Sequence, residues 1–157
     1  MKTISKAKIE KEPGNSKIKR VHLEGVAEPV RMGVRGGVAE FFKLKPDEPL
    51  PSTLDYVVGA IGGCLTGTLA GALEARGIDT APGHLEAETE GTIEEVDGKL
   101  LLTHVKVRYK VHAPKSQREV VERAIEHHGS RCPVSESVRR GITVEWSGEV
   151  VEINEGD

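Results

Sequence analysis

The spacing of apolar residues changes period several times along this chain, and each change predicts an element. Lys17 to Glu24 sets Val21 and Leu23 on one face with polar neighbours between them, the two-residue period of a half-buried strand. Pro13-Gly14-Asn15 just before it is turn chemistry, which predicts a hairpin with Ile4 to Lys11. Pro29 to Val38 reads as a further strand ending at Gly36-Gly37, and Phe41 to Leu50, with Pro46, Pro49 and mixed charge, reads as loop. The period then lengthens. Leu54, Val57, Val58, Ile61, Leu65, Leu69, Ala72 and Leu73 recur at helical spacing. Ser52 with Asp55 three positions on has the form of a capping box, and Gly77 after Arg76 is the expected C′ residue.

Strand periodicity returns over His84 to Val96 and Lys99 to His112, joined by Asp97-Gly98, a strong two-residue hairpin signal. In the second of these strands Val105, Val107, Tyr109 and Val111 alternate with His104, Lys106, Arg108 and Lys110, so one face is buried and the other wet. A second capping box, Ser116 with Glu119, predicts a helix whose apolar face is Val120, Val121, Ala124 and Ile125 and which Gly129 ends. A short third helix is expected from Cys132-Pro133, with proline at N1, to near Gly141. Ile142, Val144 and Trp146 alternate in a last strand. The order β-β-(β)-α-β-β-α-α-β predicts an α+β fold, and 157 residues suit a single domain.

Composition narrows the function. Lys and Arg number 22 against 25 Asp and Glu, a net charge of −3, which argues against a nucleic-acid partner. Aromatic residues make up 3 %, too few for platforms that stack single strands. The N-terminus, Met1 to Lys8, carries charge with no apolar stretch behind it, so no secretory signal is expected and the cytoplasm is the expected location. Tyr56 to Leu73 is uncharged over 18 residues, the lower edge of what spans a bilayer. Its five glycines and two threonines temper that, and a helix buried in a soluble core, with no membrane, is the expectation. Four of those glycines, Gly59, Gly63, Gly67 and Gly71, repeat every fourth position on one face. Each costs about 1 kcal/mol relative to alanine, so the bare face predicts close approach of another backbone. That backbone belongs either to a second copy of the helix across a dimer interface or to the same chain.

The chemistry centres on two cysteines. In a reducing cytoplasm Cys64 and Cys132 are expected to be free, redox-active or metal-bound rather than a permanent bridge. Cys64 lies in mid-helix, where the helix N-terminus gives it nothing. It reacts only if a cation comes from elsewhere, and otherwise it is a small buried hydrophobe. Cys132 sits at a helix start beside Arg131, with His127 and His128 close by, features that lower a thiol pKa. Local sequence therefore ranks Cys132 as the more activated thiol, the alternative being a plain N-cap. His128-x3-Cys132 with Cys64 supplies three ligands, and the paired spacings of a structural zinc site are missing, so no metal is expected. Asp55 stays open between a structural capping-box carboxylate and a part in the chemistry.

Two segments carry a resemblance. Pro51 to Cys64, with a proline, an acidic residue, an apolar stretch and a Gly-Gly-Cys ending, resembles the first cysteine motif of the OsmC/Ohr family. Cys132-Pro133-Val134-Ser135 resembles its second, Cys-Pro-[Val/Tyr]-Ser. The resemblance implies antiparallel sheets packed around long central helices in an intertwined homodimer, with active sites at the dimer interface. It implies a peroxidase without metal or organic cofactor. Cys64 attacks a hydroperoxide and becomes a sulfenic acid, Cys132 resolves it as a Cys64–Cys132 disulfide, and a dithiol reduces that bridge. The hydroperoxide-reducing members place a glutamate ten residues before the first cysteine, where this chain has Leu54. The nearest acid is Asp55, and the family's Gly-Gly-Arg-Asp is absent. Arg35 is the best substitute for its arginine, with Arg31 and Arg20 behind it. The resemblance thus describes an atypical OsmC-like member. The competing expectation is a non-catalytic OsmC-like protein that binds an apolar or thiol-reactive small molecule between its helices.

Overall fold

The structure, a computed structural model, describes residues 1–156. The chain divides into two compact units, Met1–Tyr56 and Val57–Asp157.

In the first unit, β1 (Ala7–Glu12), β2 (Asn15–Leu23) and β3 (Val30–Met32) form an antiparallel sheet in that order. The turn at Pro13-Gly14 works because Gly14 takes φ +78°, a conformation that costs glycine no Cβ clash. Ile18 on β2 is the buried anchor of this sheet. The strand expected over Pro29 to Val38 is cut short. Gly36 turns the chain with φ +52°, and a short helix, α1 (Gly36–Phe41), follows. The two glycines that were expected to end a strand instead let the backbone enter a helix. From Phe42 to Leu50 the chain is irregular apart from turns, as expected.

Helix α2 (Thr53–Glu74) starts on the predicted capping box. The Ser52 N–H donates to Asp55 Oδ2 at 2.6 Å, and the Asp55 N–H donates back to Ser52 Oγ at 3.3 Å. At its other end Gly77 takes φ +72°, and the N–H of Ile78 reaches the Leu73 carbonyl at 3.1 Å, the reach-back of a Schellman-type stop.

In the second unit, β4 (Leu85–Val96) and β5 (Lys99–Pro114) form the predicted hairpin, with Asp97 and Gly98 both at positive φ as a type I′ turn requires. The final strand, β6 (Thr143–Ile153), pairs with β5 in parallel, Val105 opposite Val144 and Tyr109 opposite Gly148. Parallel pairing needs a long crossover. Here the crossover carries α3 (Arg118–His127) and α4 (Pro133–Val138). Val105, Val107, Tyr109 and Val111 are all buried on the inward face of β5, and Ile61, Leu65, Leu69 and Leu73 are the buried row of α2. Gly62 of α2 abuts Thr89 on β4, and Gly91 on β4 abuts Val58 on α2.

Three expectations need correction. The Ser116–Glu119 capping box does not form. Lys115–Gln117 makes a 3-10 turn, α3 begins at Arg118 without a side-chain cap, and the Ser116 hydroxyl donates to Glu155 instead. Val120 points outward, while Val121, Ala124 and Ile125 are buried. Finally, α2 is not buried all round. It is long and apolar enough to cross a membrane by length and composition, with mean hydropathy 1.5, yet only 28 % of that window is buried.

Candidate active site

Cys64 stands on α2 directly before the buried Leu65 and is itself partly buried. The Thr68 hydroxyl, one turn on, donates to its carbonyl at 2.9 Å. Cys132 is fully buried and is the N-cap of α4, with extended backbone and Pro133 at N1. Its sulfur accepts the Ser135 N–H at 3.4 Å, and its own N–H donates to the Gly129 carbonyl at 3.2 Å. Both cysteines are free thiols, and Cys64 is among the groups that push the Cys132 thiol up, behind burial. The fold thus lets two cysteines 68 residues apart in sequence (132 − 64) influence each other's charge.

Burial pushes the Cys132 thiol up, and the neighbouring Cys64 adds to that, while the Ser135 N–H opposes it. This overturns the ranking made from local sequence. A helix start does lower a thiol pKa, but α4 has six residues, and desolvation favours the neutral form more strongly. The nearby histidines do not supply the expected positive charge either. His128 is buried, and burial shifts it towards the neutral imidazole; His127 points outward beside Glu126.

Tyr109, a core position on the buried face of β5, also carries a polar contact. Its hydroxyl lies 2.8 Å from His128 Nε2, and the two rings meet edge to face at 5.2 Å. His128 Nδ1 lies 2.7 Å from the Ile125 carbonyl, and Trp146 covers the ring's other side at 5.4 Å. A carbonyl only accepts, so Nδ1 carries the imidazole proton. Nε2 is then the bare nitrogen that accepts from Tyr109. Burial is the first cause that raises the Tyr109 pKa, and the charges of Cys132 and Cys64 add to it; the Thr66 hydroxyl donates to the Gly62 carbonyl at 2.7 Å. The available signal was a phenol on an otherwise aliphatic strand face, because a buried hydroxyl needs a partner.

Arg35 and Asp55, both in the first unit, pair with each other. Arg35 Nη2 donates to Asp55 Oδ1 at 3.1 Å and Nε to Oδ2 at 3.3 Å. The guanidinium holds the Asp55 carboxyl below the usual range, with help from the Ser52 N–H against desolvation. One carboxylate thus serves as both cap and arginine anchor. Arg31 and Arg20 instead converge on Glu12, with Arg31 also held by Glu48.

One thiol partly open and one enclosed, the first adding to the upward shift of the second, make a candidate dithiol site. The OsmC-like protein family matches residues 46–147, a span that contains both cysteines and both motifs. Solved structures agree on the fold. An OsmC-like protein from Mycoplasma pneumoniae has a TM-score of 0.71 at 13 % identity, covering 97 % of this chain and 100 % of that one. The organic hydroperoxide resistance protein OhrB of Bacillus subtilis has a TM-score of 0.65 at 13 % identity, covering 94 % and 98 %. An organic hydroperoxide resistance protein from Elizabethkingia anophelis has a TM-score of 0.63 at 17 % identity, covering 98 % and 100 %. No curated protein matches the chain. The chain belongs to the OsmC-like family, and its α+β fold is that of the OsmC/Ohr-like structures.

Proposed function

We propose that this protein is a cytoplasmic thiol peroxidase built as one OsmC-like domain over 1–157. The observation that carries the proposal is a partly open Cys64 and an enclosed Cys132 whose charges influence each other, both inside the family match. The Cys64 thiolate attacks the outer oxygen of an organic hydroperoxide or hydrogen peroxide. The O–O bond breaks, the alcohol or water leaves with a proton, and Cys64 becomes a sulfenic acid. The Cys132 sulfur then attacks the Cys64 sulfur, the S–S bond forms and water departs. A dithiol reductant restores both thiols and is itself oxidised to a disulfide. Partial exposure suits Cys64 to meet the peroxide, and enclosure suits Cys132 to the second step. No metal or organic cofactor enters these steps.

A mid-helix thiolate needs a positive neighbour, and Arg35, oriented by Asp55, is the proposed one. Asp55 precedes Cys64 on α2 by nine residues, about 13.5 Å of rise and about two and a half turns, which sets the two on opposite sides of the helix. We therefore assign the Arg35–Asp55 pair of one copy to the Cys64 of a second, in a homodimer joined along the glycine face. That face supports the assignment: among the described residues, apart from adjacent residues and the surrounding turns of helix backbone, nothing lies within 4 Å of a Cβ built on Gly59, Gly63, Gly67 or Gly71.

Stopped-flow mixing of the reduced protein with several hydroperoxides, following loss of free thiol, tests the proposal. Wild type is expected to react at least about 100-fold faster than a free thiol. Cys64→Ser abolishes the reaction, and Arg35→Ala slows it about tenfold or more by raising the thiol pKa. If neither cysteine outpaces a free thiol, the ligand-binding alternative takes its place.

A further inference from the structure

The chain is net acidic, at −3, yet part of its positive charge is left unmatched and gathered in one place. Six of its ten arginines pair with carboxylates: Arg20 and Arg31 with Glu12, Arg35 with Asp55, Arg108 with Glu90, Arg118 with Glu122 and Arg139 with Glu136. Arg76, Arg123, Arg131 and Arg140 have no carboxylate partner among the described residues. Three of those four, Arg76, Arg123 and Arg131, line a single cavity of about 360 Å³ in the second unit, and neither aspartate nor glutamate lines it. The acids next along the chain are engaged elsewhere. Glu74 accepts from the Thr80 hydroxyl, Glu122 pairs with Arg118, and Glu126 lies beside His127.

Three separate elements bring these guanidinium groups to the cavity. Arg76 follows the end of α2, Arg123 is on α3, and Arg131 ends the 3-10 turn before Cys132. Nη1 of Arg76 donates to the Ala72 carbonyl at 2.6 Å, and Ala72 is part of the cavity wall. That bond holds the guanidinium beside the wall and leaves its other N–H groups for a guest. The rest of the wall is small and apolar, with Gly71, Ala75 and Ala124. His128 also reaches the cavity, but Nδ1 donates to Ile125 and Nε2 accepts from Tyr109, so its ring has no donor left. A cleft walled by one sign of charge concentrates the counter-ion. The planar guanidinium fork fits carboxylate and phosphate oxygens two at a time. Small-molecule pockets run from about 300 to about 1,000 Å³, so the volume suits a small organic molecule rather than a single ion.

We propose that this cavity binds a small organic polyanion, a polycarboxylate or a phosphate ester. Its charged oxygens sit on Arg76, Arg123 and Arg131, and its carbon skeleton lies against Gly71, Ala75 and Ala124. The site uses neither thiol, so it stands or falls separately from the peroxidase. Gly71 also belongs to the glycine face of α2, so in the proposed homodimer the cavity borders the joint, and the native protein is the one to test. Basic side chains near a helix C-terminus also offset the helix dipole. That role alone gives stability without a ligand, which the experiment separates.

Isothermal titration calorimetry of the native, reduced protein with citrate and with glycerol 3-phosphate, at fixed ionic strength, tests the site. At least one of the two is expected to bind once per chain, and the tighter one shows whether carboxylate or phosphate is the natural group. Arg123 and Arg131 are exposed, so their variants should fold. Arg123→Gln and Arg131→Gln should each weaken binding about tenfold, the loss of one charge-assisted fork. Arg140→Gln removes an unpaired arginine outside the cavity and should bind like wild type. The bound polyanion should also raise the midpoint of thermal unfolding, and the rise should vanish when Arg123 and Arg131 are both replaced by Gln. Binding by neither compound up to about 10 mM overturns the proposal. So does binding in Arg123→Gln and Arg131→Gln within about twofold of wild type. So does an equal rise of the midpoint with potassium chloride at the same ionic strength. Variants that lose stability while wild type binds nothing would assign the arginines to the helix ends alone.

Discussion

At Cys132 two demands conflict. The proposed role asks this thiol to attack Cys64, yet it is enclosed, and enclosure keeps it protonated. In the proposed mechanism Cys64 therefore reacts first and Cys132 second. Cys132→Ser keeps a good N-cap for α4, so the fold should survive. One equivalent of hydroperoxide should then leave a sulfenic acid at Cys64, read as a dimedone adduct by peptide mass. An adduct at Cys132 in Cys64→Ser, formed equally fast, would reverse the roles. Glu12 shows the same physics with the opposite sign. Arg31 and then Arg20 pull its carboxyl down to about 2 against desolvation, from an ordinary 4.5. A carboxylate depressed in the folded state stabilises above its unfolded pKa and stops doing so as pH falls through the folded one. Acid should therefore weaken the β1–β3 sheet between about pH 4.5 and about pH 2. Glu12→Gln should flatten the unfolding profile across that window. Neither shift was legible in the sequence. The two cysteines announce themselves by type and motif, but their burial and Tyr109's contact with His128 depend on which strands and helices meet.

Elements set by nearby residues were readable, and those set by distant ones were not. Ser52, Asp55 and Gly77 bound α2 through contacts within a few positions, and Asp97-Gly98 dictates its own turn. Ser116 had the same local form, yet its hydroxyl is taken by Glu155, 39 residues on. The glycines of α2 divide in a way spacing alone could not show. Gly62, outside the repeat of four, is the one pressed against Thr89, whereas the four in register meet nothing. Two substitutions should separate these roles. Gly62→Val overpacks the β4 contact and should cost about 1–3 kcal/mol in urea unfolding. Gly67→Leu meets nothing within the chain and should leave unfolding of the isolated chain near wild type while moving the sedimentation coefficient to that of a monomer. Equal loss of stability in both would mean that the register glycines pack within the chain.

For the whole molecule, an apolar helix of 22 residues with 28 % of its most apolar window buried needs a cover. The proposed homodimer would provide one and would carry the Arg35–Asp55 pair to the opposite Cys64. Fold class and family were legible from element order and two short motifs, because hydrophobic period and N-cap chemistry survive in a single sequence. The parallel pairing of β6 alongside β5 was not, because it requires the crossover through α3 and α4. The central claim is that Cys64 and Cys132 act as one redox pair. The most direct measurement is peptide mapping of the native protein after one equivalent of an organic hydroperoxide, under non-reducing conditions. The account predicts an intramolecular Cys64–Cys132 disulfide, formed in near-stoichiometric yield and returned to two thiols by a dithiol. Oxidation that stops at one cysteine with the other still free, or bridges that form only between chains, would contradict it.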